Sequence, residues 1–290
     1  MRVIDLGGHS GCKILLCEED DNNNVFVRKI SSNNDYNKRL IIQAEKQKDF
    51  STTHKNTLIK APAVLSNGYT EQGLFYFDME YVQGITMAEY MKNIEVGKVR
   101  SICETIVKNI VAKPDNQTEA DESIFQNKIH SLKDKLAVKN NLIIDCALDM
   151  LKNHSWARFV KTACHGDLTL ENIIVKDGQL YVIDFLDSFY DSWIMDISTI
   201  MQDVQTMWSY RYQDEVEINT TLRLMVFRDI LMETVKENAP DDYIEVYYAL
   251  LLKLIRIFPY TKDERTYHFL TEKTKSIIEI IKEEESICGH

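Results

Sequence analysis

The stretch from His165 to Phe185 constrains the chain more than any other. His165-Gly166-Asp167-Leu168-Thr169-Leu170-Glu171-Asn172 is followed by two apolar runs, Ile173-Ile174-Val175-Lys176 and Gln179-Leu180-Tyr181-Val182-Ile183, set around Asp177-Gly178. Apolar runs about an Asp-Gly pair read as a β-hairpin, because the tight turn needs left-handed backbone that these residues tolerate. A hairpin over 173–183 brings its two flanking residues, Asn172 and Asp184, together at one end. Asp167 is expected to orient or deprotonate a hydroxyl. Asn172 and Asp184 are expected to hold Mg²⁺, a hard cation that takes oxygen ligands and keeps several waters. This combination suits phosphoryl transfer, in which alignment and charge neutralisation carry the catalysis.

The segment resembles the catalytic loop and metal-binding strand of the aminoglycoside phosphotransferase and choline kinase superfamily, relatives of the protein kinases. Those sequences read H-G/N-D-x-x-x-x-N and then I-D-F or I-D-x-G, and every catalytic position is filled here. The resemblance implies a bilobal, protein-kinase-like α+β fold. A small N-lobe over 1–82 would carry an antiparallel sheet with one main helix, and a larger, mostly helical C-lobe would span 83–290. It implies ATP or GTP as co-substrate, Mg²⁺, and a hydroxyl of a small metabolite as acceptor. His165 is implied as a brace of the loop, and Asp196 likewise. The absence of H-R-D, of D-F-G and of an A-P-E segment sets a protein kinase aside. A catalytically weak nucleotide-binding regulator on the same fold is disfavoured because no catalytic position is lost.

The resemblance makes demands on the N-terminal part. Arg2 to Leu6, the cluster Gly7-Gly8-His9-Ser10-Gly11, and Cys12 to Cys17 read as strand, turn, strand, with Ser10 at the tip of a phosphate-covering turn. Val25-Phe26-Val27-Arg28-Lys29-Ile30 alternates as a half-buried strand does. Lys29 is the implied phosphate lysine, with Arg28 as its competitor. Leu40, Ile41, Ala44 and Gln47 recur at helical spacing within 36–50, and Glu45 on that helix is expected to pair with Lys29. Two further runs, Ala63–Tyr69 and Leu74–Val82, form a hairpin by pattern. Met79-Glu80-Tyr81-Val82-Gln83-Gly84 is close to the family's linker, which implies that the Glu80 carbonyl and the Val82 amide read an adenine edge.

Beyond Thr86 the pattern predicts helices over 86–93, 95–112, 119–138 and 140–160. After the catalytic hairpin it predicts four more, over 193–212, 219–238, 241–258 and 262–284. Pro114 should end the preceding helix. No apolar run reaches the length of a membrane span and no signal peptide is recognisable, so a soluble, cytoplasmic chain without membrane contact is expected. A net charge of −11 opposes nonspecific nucleic-acid binding, which needs a basic surface. The six cysteines include no C-x-x-C pair, and neither a zinc site nor a disulfide framework is indicated.

For the acceptor, Asp187, Gln202, Asp203 and Arg211 could bond hydroxyls or an anionic group, and Asp187 could instead serve a second Mg²⁺. Trp193, Trp208, Tyr210, Tyr212, Tyr247 and Tyr248 offer an alternative, an aromatic cage for a cation. A sugar or polyol acceptor is preferred, with a choline/ethanolamine-type or an aminoglycoside kinase as the alternative. The sequence leaves the acceptor's identity and the oligomeric state open.

Overall fold

A computed structural model describes residues 2–7, 11–19, 24–111, 120–137 and 141–288. Ser10 and Pro114 lie outside the described residues. The chain divides into two compact units, residues 1–90 with 165–188, and residues 91–164 with 189–290.

The first unit opens with strands β1 (Arg2–Asp5), β2 (Lys13–Glu18) and β3 (Val25–Ile30), then helix α1 (Asn37–Thr53), a short β4 (Ile59–Lys60), β5 (Val64–Tyr69) and β6 (Phe75–Glu80). Five of these strands form one antiparallel sheet in the order β1-β2-β3-β6-β5. Strand alternation sorts its side chains. Val27, Phe75, Phe77 and Met79 pack with Leu40 and Ala44 of α1. With a side-chain period of two, Lys29 shares the Val27 face while Phe26 and Arg28 take the other. A helix of this length is marginal by itself in water, so burial of Leu40, Gln43, Ala44 and Gln47 against the sheet holds α1 in place.

A second sheet completes the unit. After β7 (Ile85–Thr86) and α2 (Met87–Tyr90), the chain returns as β8 (Ile173–Lys176) and β9 (Gln179–Val182). The order is β4-β9-β8-β7, with β4 parallel to β9 and the other neighbours antiparallel. The expected hairpin is present, and Asp177 and Gly178 both take positive φ, 49° and 75°. Gly84 is required by close approach, because a Cβ there would sit 2.6 Å from the Val175 carbonyl oxygen. The helix expected over 86–93 is one turn only, since Ile85 and Thr86 pair with β8 instead.

The second unit is helical: α3 (Val96–Ile110), α4 (Glu122–Leu136), α5 (Leu142–Asn153), α6 (Trp193–Thr206), α7 (Ile218–Asn238), α8 (Tyr243–Ile257) and α9 (Glu264–Cys288). The helix expected over 140–160 stops at Asn153. His154 is extended, and Trp156 and Phe159 turn inward onto Phe125 with ring centroids 4.4 and 5.0 Å away. The helix expected over 193–212 stops at Thr206, where Met207 enters the left-handed region at φ 60°. No helix among the described residues is long and apolar enough to cross a membrane.

Candidate active site

The loop before β8 is built around a buried histidine. His165 Nε2 meets the Ile183 carbonyl at 2.8 Å, while its Nδ1 accepts from the Asp167 amide at 3.2 Å. That pairing makes Nε2 the protonated nitrogen of a neutral ring. Burial pushes its pKa down to about 4, which keeps the ring neutral at physiological pH. The expected bracing role therefore has a concrete form: one side chain ties the loop to the segment that leads from β9 (Gln179–Val182) to Asp184. Gly166 sits at φ 93°, and a Cβ there would lie 2.8 Å from the Leu186 carbonyl oxygen, so this bend admits only glycine.

Asn172 closes the loop. Its Nδ2 donates to the Asp167 carbonyl at 2.8 Å and to Asp167 Oδ2 at 3.3 Å. The Ile183 amide donates to the Asn172 carbonyl at 2.9 Å, which joins the two ends of the hairpin as its pattern requires. Asp184 follows at φ 62°, a left-handed conformation unusual for a residue with a side chain and frequent at functional sites. One of its oxygens, Oδ1, pairs with Lys29 Nζ. Among the described residues Asp184 Oδ2 and Asn172 Oδ1 form no hydrogen bond. These two hard oxygens fit Mg²⁺, whose shell would be completed by phosphates and water. The described residues contain no cluster of three or more His, Cys, Asp or Glu that could hold a metal unaided.

Lys29 is buried, and Gln43 rather than Glu45 lies against it, at 3.0 Å from Oε1 to Nζ. The expected Lys29–Glu45 pair is corrected by helix geometry. Positions two apart on a helix point to opposite sides, so Gln43 faces the sheet and Glu45 is exposed. Tyr36 fixes the amide by accepting from Gln43 Nε2 at 3.1 Å. A neutral glutamine among Leu40, Ala44 and Gln47 gives no charge signal, which is why the sequence hid it. Arg28 is removed as a competitor: it forks onto Asp78 at 2.6 and 2.9 Å and stacks over Tyr76 on the opposite face. The segment after Asp184 is also held by α1, through Lys46 Nζ to the Leu186 carbonyl at 2.9 Å and Arg39 to the Asp187 carboxylate at 3.5 Å.

Glu80 ends β6 with an exposed side chain, and Val82 is buried in the irregular segment after it. The remaining acceptor candidates lie in the helical unit. Gln202 and Asp203 are buried in α6. Asp203 Oδ1 accepts from the Ser209 amide at 2.9 Å and its hydroxyl at 2.7 Å, shaping the turn after α6 instead of facing a ligand. The aromatic set does not form a cage. Trp193, Tyr210, Tyr247 and Tyr248 are buried in the core, and Tyr248 stacks on His154 at 3.6 Å. Trp208 and Tyr212 both face Arg211, whose guanidinium lies 4.1 and 4.4 Å from their ring centroids.

An aspartate beside an amide, a second aspartate at a hairpin's end and a buried lysine define a phosphoryl-transfer enzyme on an α+β, protein-kinase-like fold. The sequence model of the Phosphotransferase enzyme family matches residues 19–220, and the chain belongs to that family. Its class is that of small-molecule phosphotransferases with an alcohol group as acceptor. No curated protein matches the chain. Among solved structures, a thermostable mutant of aminoglycoside phosphotransferase APH(4)-Ia in its apo form is 11% identical with a TM-score of 0.59, covering 96% of this chain and 94% of that one. The amicoumacin kinase hAmiN in complex with AMP-PNP, Ca²⁺ and Ami is 14% identical with a TM-score of 0.58, covering 95% and 87%. A Plasmodium vivax ethanolamine kinase is 12% identical with a TM-score of 0.53, covering 95% and 81%.

Proposed function

We propose that the chain transfers the γ-phosphoryl group of ATP or GTP to a hydroxyl of a sugar or polyol, with Mg²⁺, in the cytoplasm. The observation that carries the reading is the Asp167–Asn172–Asp184–Lys29 set, in which the loop bonds are spent and one oxygen each of Asn172 and Asp184 is not. Asp167 is the group that orients the acceptor hydroxyl and takes its proton. Asn172 holds Asp167 in place and offers its other end to the metal. Bound Mg²⁺ would neutralise charge on the phosphates.

Lys29 supplies a cation to the α and β phosphates from a position fixed by Gln43. Ser10 is proposed as a further contact of those phosphates. The Glu80 carbonyl and the Val82 amide are the adenine-reading groups, and the Val82 amide makes no hydrogen bond among the described residues. Residues 1–82 serve as the nucleotide lobe and 83–290 carry the acceptor site, for which Gln202 is a candidate.

The preference for a neutral acceptor over an amino alcohol rests on Arg211. A guanidinium already covers Trp208 and Tyr212, so a substrate ammonium would meet a like charge where a cage was expected. The test is nucleotide calorimetry with and without Mg²⁺, joined to turnover across a panel of sugars, polyols, choline and ethanolamine. Asp184→Ala should abolish the Mg²⁺ enhancement of nucleotide affinity. An undiminished enhancement removes Asp184 from the metal site, and efficient choline turnover overturns the acceptor preference.

A further inference from the structure

Arg39, Gln43, Lys46 and Phe50 follow one another at steps of four, three and four, so they form a single stripe along α1. That stripe meets the segment Asp184–Asp187 residue by residue. Gln43 holds the lysine that pairs with Asp184. Phe50 packs on Phe185 with ring centroids 5.5 Å apart, and Phe185 in turn lies 4.3 Å from the His165 ring. Lys46 Nζ donates to the Leu186 carbonyl at 2.9 Å. Arg39 reaches the Asp187 carbonyl at 3.3 Å and its carboxylate at 3.5 Å.

Asp184 needs such support. A left-handed φ of 62° is unfavourable for a residue with a side chain, and it persists only where the surroundings over-determine it. Before it, Ile183 is fixed through both backbone groups, its amide on the Asn172 carbonyl and its carbonyl on His165. After it, the fixed residue is Leu186, whose amide donates to the His165 carbonyl at 2.9 Å and whose carbonyl accepts from Lys46. The same carbonyl lies where a Cβ on Gly166 would come within 2.8 Å, so it is wedged against the loop that carries Asp167. A bond from an ammonium is stronger than one from a neutral donor, and this one acts on the backbone itself. The Arg39–Asp187 pair is exposed and adds less.

We infer that Lys46 is a positioning residue for the metal carboxylate. By fixing the Leu186 carbonyl it holds Asp184 in the backbone conformation that leaves Oδ1 on Lys29 and turns Oδ2 to the metal. One helix then sets two quantities separately, the phosphate cation through Gln43 and the metal ligand through Lys46. The inference rests on the reading of Asp184 as a Mg²⁺ ligand.

The test is calorimetric titration of the full chain with ADP, in Mg²⁺ and in EDTA, which gives the factor by which the metal raises affinity. Lys46→Met should cut that factor about tenfold, the loss usual for a group that orients a metal ligand. Metal-free ADP affinity should stay at the parent's value, because Gln43 still holds Lys29. Lys46→Arg, which keeps a charged donor, should recover most of the factor. Hydrogen exchange supplies a second readout: the Leu186 amide should exchange faster in Lys46→Met while the α1 amides keep the parent's protection. If Lys46→Met fails to fold, Lys46→Gln is measured in the same two ways. The inference is overturned if the variant keeps the parent's Mg²⁺ factor, if it loses ADP equally with and without metal, or if exchange quickens along α1 as well. Asp184→Ala separates this role from the reading beneath it. Loss of the factor in Asp184→Ala beside an unchanged Lys46→Met refutes the positioning role alone, whereas an undiminished factor in Asp184→Ala refutes the metal site and the positioning role with it.

Discussion

A buried lysine persists only where its charge is answered, and Lys29 is answered unevenly, by one carboxylate from Asp184 and one amide oxygen from Gln43. Lys29→Ala should weaken nucleotide use strongly, and Gln43→Leu should act on the same step. Because the two share a hydrogen bond, the double variant should lose less than the sum, as steady-state KM for nucleotide would show. Glu45→Ala, an exposed change, should stay within about 0.5 kcal/mol of the parent in stability. Additive losses for Lys29 and Gln43 would show that they do not act as a unit. Asp167→Asn should lower turnover about a hundredfold or more while nucleotide still binds, since a general base contributes about 10² to 10⁴ in rate.

His165 adds a pH dependence. Its folded pKa of about 4 lies below its ordinary value of 6.5, so the unfolded chain binds the extra proton first. The stability linked to the neutral ring is complete above about pH 6.5 and is lost as pH falls toward 4, on the order of 3 kcal/mol across that window. Chemical denaturation of the parent and of His165→Gln, compared at pH 4.5 and 7, should show the smaller drop in the variant. The sequence pointed to His165, Asp167, Asn172 and Asp184 because each must lie at a fixed spacing along one hairpin. It did not point to Gln43, whose contact with Lys29 depends on which face of a helix meets a sheet and carries no charge to betray it.

Elements are legible where one force dominates and obscure where two compete. The run over 173–183 alternates about Asp-Gly and folds as that pattern says. The end of α6 resisted reading because Met207, not glycine, takes the left-handed position, stabilised by the Asp203 bonds to Ser209. Strands β4 and β7, two residues each, are too short to carry a period and exist only because β8 and β9 offer them edges. At Gly84 the demand is steric. Gly84→Ala would press a methyl onto the Val175 carbonyl and the Ile174 side chain, both 2.6 Å from the new Cβ. A loss of about 1 to 3 kcal/mol in urea unfolding is expected. An unchanged midpoint would show that the segment between β6 and β7 can shift without strain.

At the scale of the whole molecule, the class of fold was legible in the motifs, but the way the first unit is threaded was not. That unit is discontinuous in sequence, with β8 and β9 contributed by 165–188 to a body that begins with 1–90. A chain stopped at residue 164 would keep the five-stranded sheet and α1 but lack Asp167, Asn172 and Asp184. It should bind no nucleotide by calorimetry and should expose apolar surface to a hydrophobic dye. A truncated chain that still binds Mg²⁺-nucleotide would mean that residues 1–164 suffice for the site.

The same threading sets a schedule on the ribosome. Ile59 and Ile85 are made early, yet their strand partners Leu180 and Val175 emerge only after all of α3, α4 and α5. At roughly 5–20 residues per second, that leaves β4 and β7 waiting about 5 to 25 s for their neighbours. During that interval two short strand edges and the apolar side chains beside them stand open to other nascent chains. Yield in the cell should therefore respond to the translation rate between residues 91 and 188, and to the supply of holdase chaperones, more than to the stability of the finished fold.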